Sequence, residues 1–391
     1  MRIRSHLRTT VLAGLMILAF VAHATAADDV KSLLATIKSV GKEGAGNPAA
    51  SKAWQALTRL GPDALLPILA SFDDDHPITT NWLRAAADAI AERAVKEKKA
   101  LPTAALEKFL LDTMKSATGR RAAYECLLRV DPTVPARFLP GFLHDRNADL
   151  RRDAVATRID AANVALKKGD KKAAVAALNE ALSGACDKDQ VDDIAKKLKE
   201  QGVAVDLATH FGFIRSWHLI APFDNPKGQK FAVVYPPEKA VDLQASYKGK
   251  GGADCRWLPH TTKDSYGEVD LNKALGKTKG AIAYASAAIV APADRRVEFR
   301  IGCINAIKVF QNGKEIFACE ECHHGTEMDQ YIIPITLKAG RNEFLLKVCQ
   351  NEQTEPWAQN WAFQARLCDA TGVAVPVTVE TKQATKTGGG Q

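Results

Sequence analysis

Residues 306–317 read Ala-Ile-Lys-Val-Phe-Gln-Asn-Gly-Lys-Glu-Ile-Phe, two runs of alternating residues that meet at Asn312-Gly313. Both central residues of a type I′ turn need positive φ, and Asn-Gly tolerates this best, so the stretch predicts a β-hairpin. A second turn signal lies at Lys338-Ala339-Gly340-Arg341-Asn342, before an apolar strand pattern. Repeated hairpins of this kind predict an antiparallel β-sandwich rather than a nucleotide-binding fold.

The period-two pattern extends over residues 211–372, where Gly, Pro and Asp separate about nine or ten short segments. The most specific pieces are Trp217-x-x-x-x-Pro-Phe-Asp-Asn225, Tyr235-Pro-Pro-Glu238, Cys255-Arg-Trp257, the Asn-Gly-Lys hairpin and Leu337-Lys-Ala-Gly-Arg-Asn342. In these pieces the chain resembles the galactose-binding-like jelly-roll modules of secreted bacterial proteins, including sugar-processing ones. The resemblance implies a jelly-roll fold and a non-catalytic module that binds glycans or packs against a neighbouring domain.

The preceding part of the chain is rich in Ala, Leu and Lys, with apolar residues at helical spacing. The pattern predicts helices at 28–40, 48–60, 62–72, 79–97, 102–117, 119–130, 132–144, 147–168, 170–184 and 187–201. Residues 53–69 form a helix, a Gly stop, a Pro start and a second amphipathic helix, which resembles a HEAT repeat. The resemblance implies an α-solenoid whose face suits a protein partner. We therefore predict a multidomain protein, an N-terminal α-solenoid of HEAT-like helical hairpins followed by an antiparallel β-sandwich of jelly-roll type.

The N terminus carries three Arg, an apolar run from Val11 to Ala22 and the small residues Ala24-Thr25-Ala26, which together predict a secretory signal peptide. No later segment is as long and charge-free, so we expect an exported protein, periplasmic or at the cell surface, with no membrane span after cleavage. The formal charge of +8 is a weak excess over 391 residues, which gives a nucleic-acid partner little support.

The predicted organisation has four parts: a signal peptide at 1–26, a helical repeat domain at 27–205, a β-sandwich at 206–378 and a disordered tail at 379–391. The tail is composed of Thr, Lys, Gly and Gln, with almost nothing to bury.

The sequence Cys319-Glu-Glu-Cys322-His323 matches the attachment pattern of haem c, in which two thiols bind the porphyrin and the adjacent His ligates iron. With His324, the same residues offer the ligand types of a tetrahedral zinc site. A third interpretation is that both cysteines are free or disulfide-bonded and that the histidines cap a loop.

Strand parity suggests a disulfide elsewhere. Cys349 lies opposite to the apolar Phe344, Leu346 and Val348, and Cys368 alternates with apolar residues of its own strand. Both cysteines are therefore predicted on polar faces, where a bridge forms if the two strands are neighbours.

The connection between residues 351 and 361 concentrates amides and carboxylates with two tryptophans. Aromatic rings stack on sugar C–H groups while amides hydrogen-bond the hydroxyls, so this connection predicts a glycan-facing loop. Its expected binding residues are Trp357, Trp361, Asn351, Gln353 and Asn360.

Two further acids, Glu327 and Asp329, offer oxygen ligands for a structural Ca²⁺ ion. No nucleophile elbow, zinc-protease motif, phosphate loop or dinucleotide fingerprint occurs in the chain. The sequence therefore predicts a non-enzymatic exported scaffold or adaptor without a firm cofactor. The alternatives are a haem c electron-transfer protein and an enzyme with an unrecognised site.

Overall fold

A computed structural model gives the fold and describes residues 29–380. The predicted signal peptide and residues 381–391 of the predicted tail lie outside this range. The first residue of the predicted disordered tail, Val379, belongs instead to the short strand Thr378–Val379. The chain divides into two compact units, one ending at Ala185 and the other beginning at Cys186.

The first unit is helical. Its helices are 29–38 (α1), Asn47–Leu57 (α2), Leu65–Leu69 (α3), Pro77–Lys96 (α4), Thr103–Leu111 (α5), Ala117–Leu128 (α6), Val134–Phe138 (α7), Ala148–Lys167 (α8) and Lys171–Gly184 (α9). Buried Leu and Ala residues from successive helices form one apolar cluster. The helical character of this half is therefore as the sequence predicted, while several helices are shorter than expected.

Prolines and acidic caps explain the shortening. The predicted helix at 132–144 is α7 plus a 3₁₀ turn at Leu139–Gly141, because Pro140 cannot donate to a continuous α-helical ladder. The predicted helix at 102–117 ends at Leu111, and α6 starts at Ala117. Asp74 accepts hydrogen bonds from the Ala117 and Thr118 amides at 2.8 and 3.1 Å, which stabilises this start.

The second unit begins with two helices, Lys188–Glu200 (α10) and Leu207–Phe211 (α11), and continues with strands. The strands are Ser216–Asp224 (β1), Ser246–Lys248 (β2), Asp254–Arg256 (β3), Leu258–Thr261 (β4), Val269–Asp270 (β5), Ala281–Ala291 (β6), Arg295–Cys303 (β7), Ala306–Gln311 (β8), Lys314–Cys319 (β9), Tyr331–Leu337 (β10), Gly340–Gln350 (β11), Ala362–Cys368 (β12) and Thr378–Val379 (β13). Two short helices, Pro236–Lys239 (α12) and Leu271–Leu275 (α13), interrupt them.

All the strand pairs of residues 29–380 are antiparallel. The larger sheet has the order β4-β1-β6-β11-β8-β9, with β13 also paired to β6, and the smaller sheet has the order β10-β7-β12-β5. The hairpin predicted at Asn312-Gly313 joins β8 to β9, and both turn residues have positive φ, 51° and 78°. The neighbours β6 and β11 are in register over eleven residue pairs, which makes them the longest ladder of the larger sheet.

Both faces of the larger sheet are covered. On one face, side chains from the two sheets form a single apolar cluster that includes the stacked rings of Phe299 and Phe344. On the other face, Phe223, Phe231, Trp257 and Tyr284 form a second apolar cluster. The fully buried Lys347 lies on this second face, where its ammonium donates to the Glu238 carboxylate at 3.0 Å.

This second cluster explains why the predicted Cys349–Cys368 disulfide is wrong. Both cysteines are free and buried, and they belong to strands of different sheets, β11 and β12. The polar residues of β11 suggested that one of its faces is open to solvent. In the structure, residues between Phe223 and Trp257 cover this face. Burial raises the pKa of the Cys349 thiol, and the nearby Lys347 ammonium offsets only part of this effect.

None of the helices in residues 29–380 combines the length and the apolar character that crossing a lipid bilayer requires.

Candidate functional site

Two connections of the second unit bring most of the predicted site residues together. One runs from Cys319 to Tyr331, between β9 and β10, and the other from Gln350 to Ala362, between β11 and β12. The first is held by the His323 amide, which donates to the Ile304 carbonyl at 2.7 Å. The second is held by the Lys279 ammonium, which donates to the Ala358 carbonyl at 2.7 Å, and by Asn272, which donates to the Gln359 carbonyl at 2.9 Å.

An exposed tryptophan marks the meeting point of the two connections. The Trp357 side chain is 55% exposed, and its ring meets the edge of the His323 ring at a centroid distance of 5.3 Å. His323 Nε2 hydrogen-bonds Asn351 Oδ1 at 2.9 Å, and Asn351 Nδ2 donates to Gln353 Oε1 at 2.6 Å. We call these four residues the tryptophan surface: an aromatic face beside amide groups.

His323 is held in one orientation on this surface. Since Asn351 Oδ1 is an acceptor, the proton of the neutral ring lies on Nε2, and Nδ1 is the acceptor atom. This Nδ1 atom is buried without a hydrogen-bond partner among the described residues. Such an atom favours a ligand donor, for example a hydroxyl, provided that the ligand reaches it.

Trp361 cannot take the binding role predicted for it. The side chain is only 1% exposed, and it belongs to the cluster between the two sheets, where Nε1 donates to the Val348 carbonyl at 3.3 Å. Four residues after Trp357, the chain has already entered the core at the start of β12. The ring contributes to stability instead of presenting a face to a sugar.

A cleft adjoins the tryptophan surface. It is lined by Glu268, Asp270, Asn272, Thr326, Asn360 and Gln364, and we call it the carboxylate cleft. The same two connections supply residues to both places, since Thr326 follows His323 and Asn360 follows Trp357. The predicted residue Asn360 thus lies in the cleft, whereas Asn351, Gln353 and Trp357 lie on the tryptophan surface.

Two carboxyl groups of the cleft have different electrostatic surroundings. Burial, followed by the neighbouring Asp264 and Asp270, raises the pKa of Glu268. The Asp270 carboxylate instead accepts from the Lys273 amide at 3.1 Å and pairs with the Lys273 ammonium at 2.9 Å. The pKa of Glu268 is thus raised above that of an ordinary glutamate, while Asp270 is engaged by Lys273. The Gln364 Oε1 atom, also in the cleft, is buried without a partner among the described residues.

The Cys-x-x-Cys-His-His motif is divided by the fold. Cys319 Sγ lies 3.2 Å from the Tyr331 hydroxyl, whereas Cys322 Sγ turns inward to the Cys349 carbonyl at 3.9 Å. Burial raises the pKa of the Cys322 thiol. Neither the haem c arrangement nor the four-residue zinc site forms in this geometry, because His323 Nε2 is engaged by Asn351 and the two sulfur atoms point to different surroundings.

A different set of donors does converge there. The ligand atoms of Cys319, Glu321 and His324 lie within 4.8 Å of one another. Of the four predicted metal ligands, the structure therefore brings together Cys319 and His324 and adds Glu321, a residue that the motif contained but that we assigned no role.

The predicted calcium ligands are also separated. Asp329 is occupied by two arginines: Oδ1 accepts from Arg366 Nε at 2.6 Å, and Oδ2 accepts from Arg300 Nη1 at 2.7 Å. These guanidinium groups hold the pKa of the Asp329 carboxyl below its usual range in spite of its burial. A carboxylate already neutralised by two cations is a poor calcium ligand, so this prediction is wrong.

Comparisons with known proteins place few limits on the chain. No protein-family model matches it, and no curated protein matches it. Among solved structures, it is similar to an uncultured Clostridium sp. β-glucuronidase, with 12% identity over 40% of this chain and 29% of that chain, at a TM-score of 0.26. It is also similar to the Kluyveromyces marxianus β-glucosidase, both selenomethionine-labelled and in complex with glucose. Each comparison gives 16% identity over 39% of this chain and 16% of that chain, at a TM-score of 0.23.

These comparisons overturn two predictions. We expected a non-catalytic scaffold or adaptor, with haem electron transfer as the alternative, and no enzymatic activity. The solved structures are instead named as a β-glucuronidase and a β-glucosidase, which are enzymes, so both predictions are withdrawn. The chain spans less than a third of the length of these proteins, and similarities at such TM-scores identify no substrate for it.

Proposed function

We propose that the protein binds carbohydrate. Its second unit holds a glycan on the tryptophan surface and along the carboxylate cleft. The observation that carries the proposal is the exposed Trp357 ring beside the amides of Asn351 and Gln353. A sugar has one apolar face of C–H groups and a rim of hydroxyls, and an aromatic ring flanked by amides matches both.

The backbone around Trp357 supports this role. Gln359 Nε2 donates to the Thr354 and Glu355 carbonyls at 2.6 and 3.1 Å, and the Ala358 carbonyl is held by Lys279. A ring on a fixed backbone loses little conformational entropy when a ligand binds, which favours affinity.

The test is a binding measurement with two substitutions at one position. A glycan array with the full chain identifies a ligand, and titration calorimetry then compares Trp357→Ala with Trp357→Phe. We expect the Ala variant to lose about 1–2 kcal/mol of binding free energy, about 5- to 30-fold in affinity, and the Phe variant to keep most of it because an aromatic face remains. Equal affinities for the wild type and the Ala variant contradict the proposal.

A second function, hydrolysis of a glycosidic bond, is favoured by the unequal carboxyl groups of the cleft. Glu268 and Asp270 both line the carboxylate cleft and flank the buried Val269 in the sequence. Inverting glycosidases use one protonated and one ionised carboxyl group about 6.5–9.5 Å apart. In this mechanism, Glu268 donates its proton to the leaving oxygen while Asp270 accepts a proton from the attacking water.

Hydrolysis is tested with aryl β-glucosides and β-glucuronides that release a chromophore. We expect Glu268→Gln to abolish release, whereas Glu315→Gln, at an exposed carboxyl group of β9 outside the cleft lining, keeps most of the rate. Glycan binding with no release from any aryl glycoside retains the first proposal and removes the second.

The finer architecture is also proposed. We infer that the helix pairs of the first unit are HEAT-like repeats of an α-solenoid, which the single apolar cluster shared by successive helices supports. We infer further that the two sheets form a jelly-roll sandwich, which their common apolar cluster supports. Export through the predicted signal peptide stays a proposal, and mass spectrometry of the N terminus of the secreted protein tests it. The predicted protein partner of the helices stays a prediction.

A further inference from the structure

The loop that follows β9 presents three different donor atoms at one place. A thiol (Cys319), a carboxylate (Glu321) and an imidazole (His324) have ligand atoms within 4.8 Å of one another. Ligands bound at about 2.0–2.3 Å to one tetrahedral ion lie about 3.3–3.8 Å apart. Side-chain movements of about 1 Å, well within the range of exposed rotamers, bring the three atoms to this spacing.

The backbone of the loop explains why these three residues converge. His323 has a positive φ of 63°, and its amide is fixed to the Ile304 carbonyl. The turn directs Cys322 and His323 to the interior, to the Cys349 carbonyl and to Asn351, and leaves Glu321 and His324 on the outer side. Cys319 is the last residue of β9, so its position is set by the sheet.

The Tyr331 hydroxyl gives an independent indication that two of the donors face one point. It lies 3.2 Å from Cys319 Sγ and 3.3 Å from His324 Nε2, so both atoms approach the same polar group. Gln330 Nε2 donates to the other ring nitrogen, His324 Nδ1, at 2.9 Å, which leaves the ring proton on Nε2 in the metal-free protein. Metal binding at Nε2 therefore requires this proton to move to Nδ1 and the Gln330 contact to break.

We propose that Cys319, Glu321 and His324 bind one divalent transition-metal ion of the zinc class, with the fourth position open to water or to a ligand. The donor set selects this class, because sulfur and imidazole nitrogen suit Zn²⁺, whereas Ca²⁺ and Mg²⁺ prefer oxygen ligands alone. Three protein ligands and an open position are the arrangement of reactive zinc sites rather than of closed structural ones. The site does not depend on the glycan proposal.

The experiment uses the full chain, reduced and stripped of metal, and titrates it with Zn²⁺ in a calorimeter and with Co²⁺ in a spectrophotometer. We expect one ion per chain and a thiolate-to-Co²⁺ charge-transfer band. Cys319→Ser removes the band, and Cys319→Ser, Glu321→Gln and His324→Asn each weaken Zn²⁺ binding by about 100-fold or more, since outer-shell changes alone cost about 10–100-fold.

The same loop supplies matched controls. Cys322→Ser and Glu320→Gln change the same residue types outside the converging set, and we expect each to bind Zn²⁺ within about twofold of the wild type. The circular dichroism spectrum and melting temperature of each metal-free variant check folding. Wild-type protein that binds no Zn²⁺, or binds Co²⁺ without the charge-transfer band, overturns the proposal. An equal loss in Cys322→Ser and Cys319→Ser also overturns it, because the ligands then include the buried thiol.

Discussion

Trp357 and Trp361 are four residues apart, yet the first is 55% exposed and the second 1% exposed. The same contrast separates Glu327 from Asp329 and Cys319 from Cys349. In each pair the first residue is the more exposed one, and the second is buried or held by charged partners within the second unit. Residue types that suggest binding chemistry are thus used for two purposes, and position relative to the sheets decides between them. Substitutions within each pair test this division.

The largest difference is expected between the two tryptophans. Trp361→Ala leaves a cavity in the apolar cluster that residues of both sheets form, and we expect it to lower the free energy of unfolding by about 3–5 kcal/mol. Trp357→Ala removes no core contact, so we expect a change within about 0.5 kcal/mol. Urea denaturation of both variants measures the difference. Comparable losses would contradict the assignment of Trp357 to the surface.

The acidic pair should differ by somewhat less. Asp329→Asn removes the carboxylate that both Arg300 and Arg366 contact. Arg300 keeps Glu298, but the buried Arg366 loses its carboxylate partner, and we expect a loss of about 3 kcal/mol. Glu327→Gln changes an exposed side chain, and we expect less than about 0.5 kcal/mol. Denaturation at neutral pH measures both variants, and a stable Asp329→Asn protein would show that the network is dispensable.

The same carboxylate gives a pH dependence. Because its pKa is lowered in the folded protein, Asp329 stabilises the fold fully above its unfolded pKa of about 3.9, and this contribution is lost as the pH falls through the folded pKa. We therefore expect the stability difference between wild type and Asp329→Asn to be constant above about pH 5 and to shrink in stronger acid. A difference that grows on acidification would reverse the sign of the predicted linkage.

The smallest difference is expected for the cysteines. Cys349→Ala removes one buried sulfur atom and should cost about 1 kcal/mol, whereas Cys319→Ala should change stability by less than about 0.5 kcal/mol. Metal-free protein is used, so that the proposed zinc site does not contribute. In addition, a reductant should leave the wild-type melting temperature unchanged, since Cys349 and Cys368 are not bonded to each other. A fall on reduction would indicate that the pair is bridged.

Local sequence patterns predicted where helices and strands form better than they predicted which residues pack against them. The Asn312-Gly313 turn and the helical half follow from local backbone preferences, which one sequence contains. The alternation with Phe344, Leu346 and Val348 predicted Cys349 on an open polar face. The residues that cover that face lie between Phe223 and Trp257, more than 90 residues before Cys349, and a local sequence pattern does not show such a contact.

The site was predicted in part for the same reason. The concentration of amides and tryptophans at 351–361 indicated a surface, but only the end of the loop at β12 decides that Trp361 is internal. Glu268 had no signal of its own, because its raised pKa depends on burial and on Asp264 and Asp270. Glu321 lay inside a motif whose usual ligands are Cys and His, and the positive φ of His323 determines which members of the motif meet.

The two arginine contacts of Asp329 limit which residues of the loop after β9 can change during evolution. They fasten the far end of the loop after β9 to β7 and β12, while the His323 amide fastens its middle to Ile304. Mutations between these two anchor points can accumulate without detaching the loop from its scaffold. Homologous chains should therefore exchange Thr326 and Glu327 more freely and change their ligand preference, while Gly325, with its positive φ of 87°, the aspartate and its two arginines are inherited.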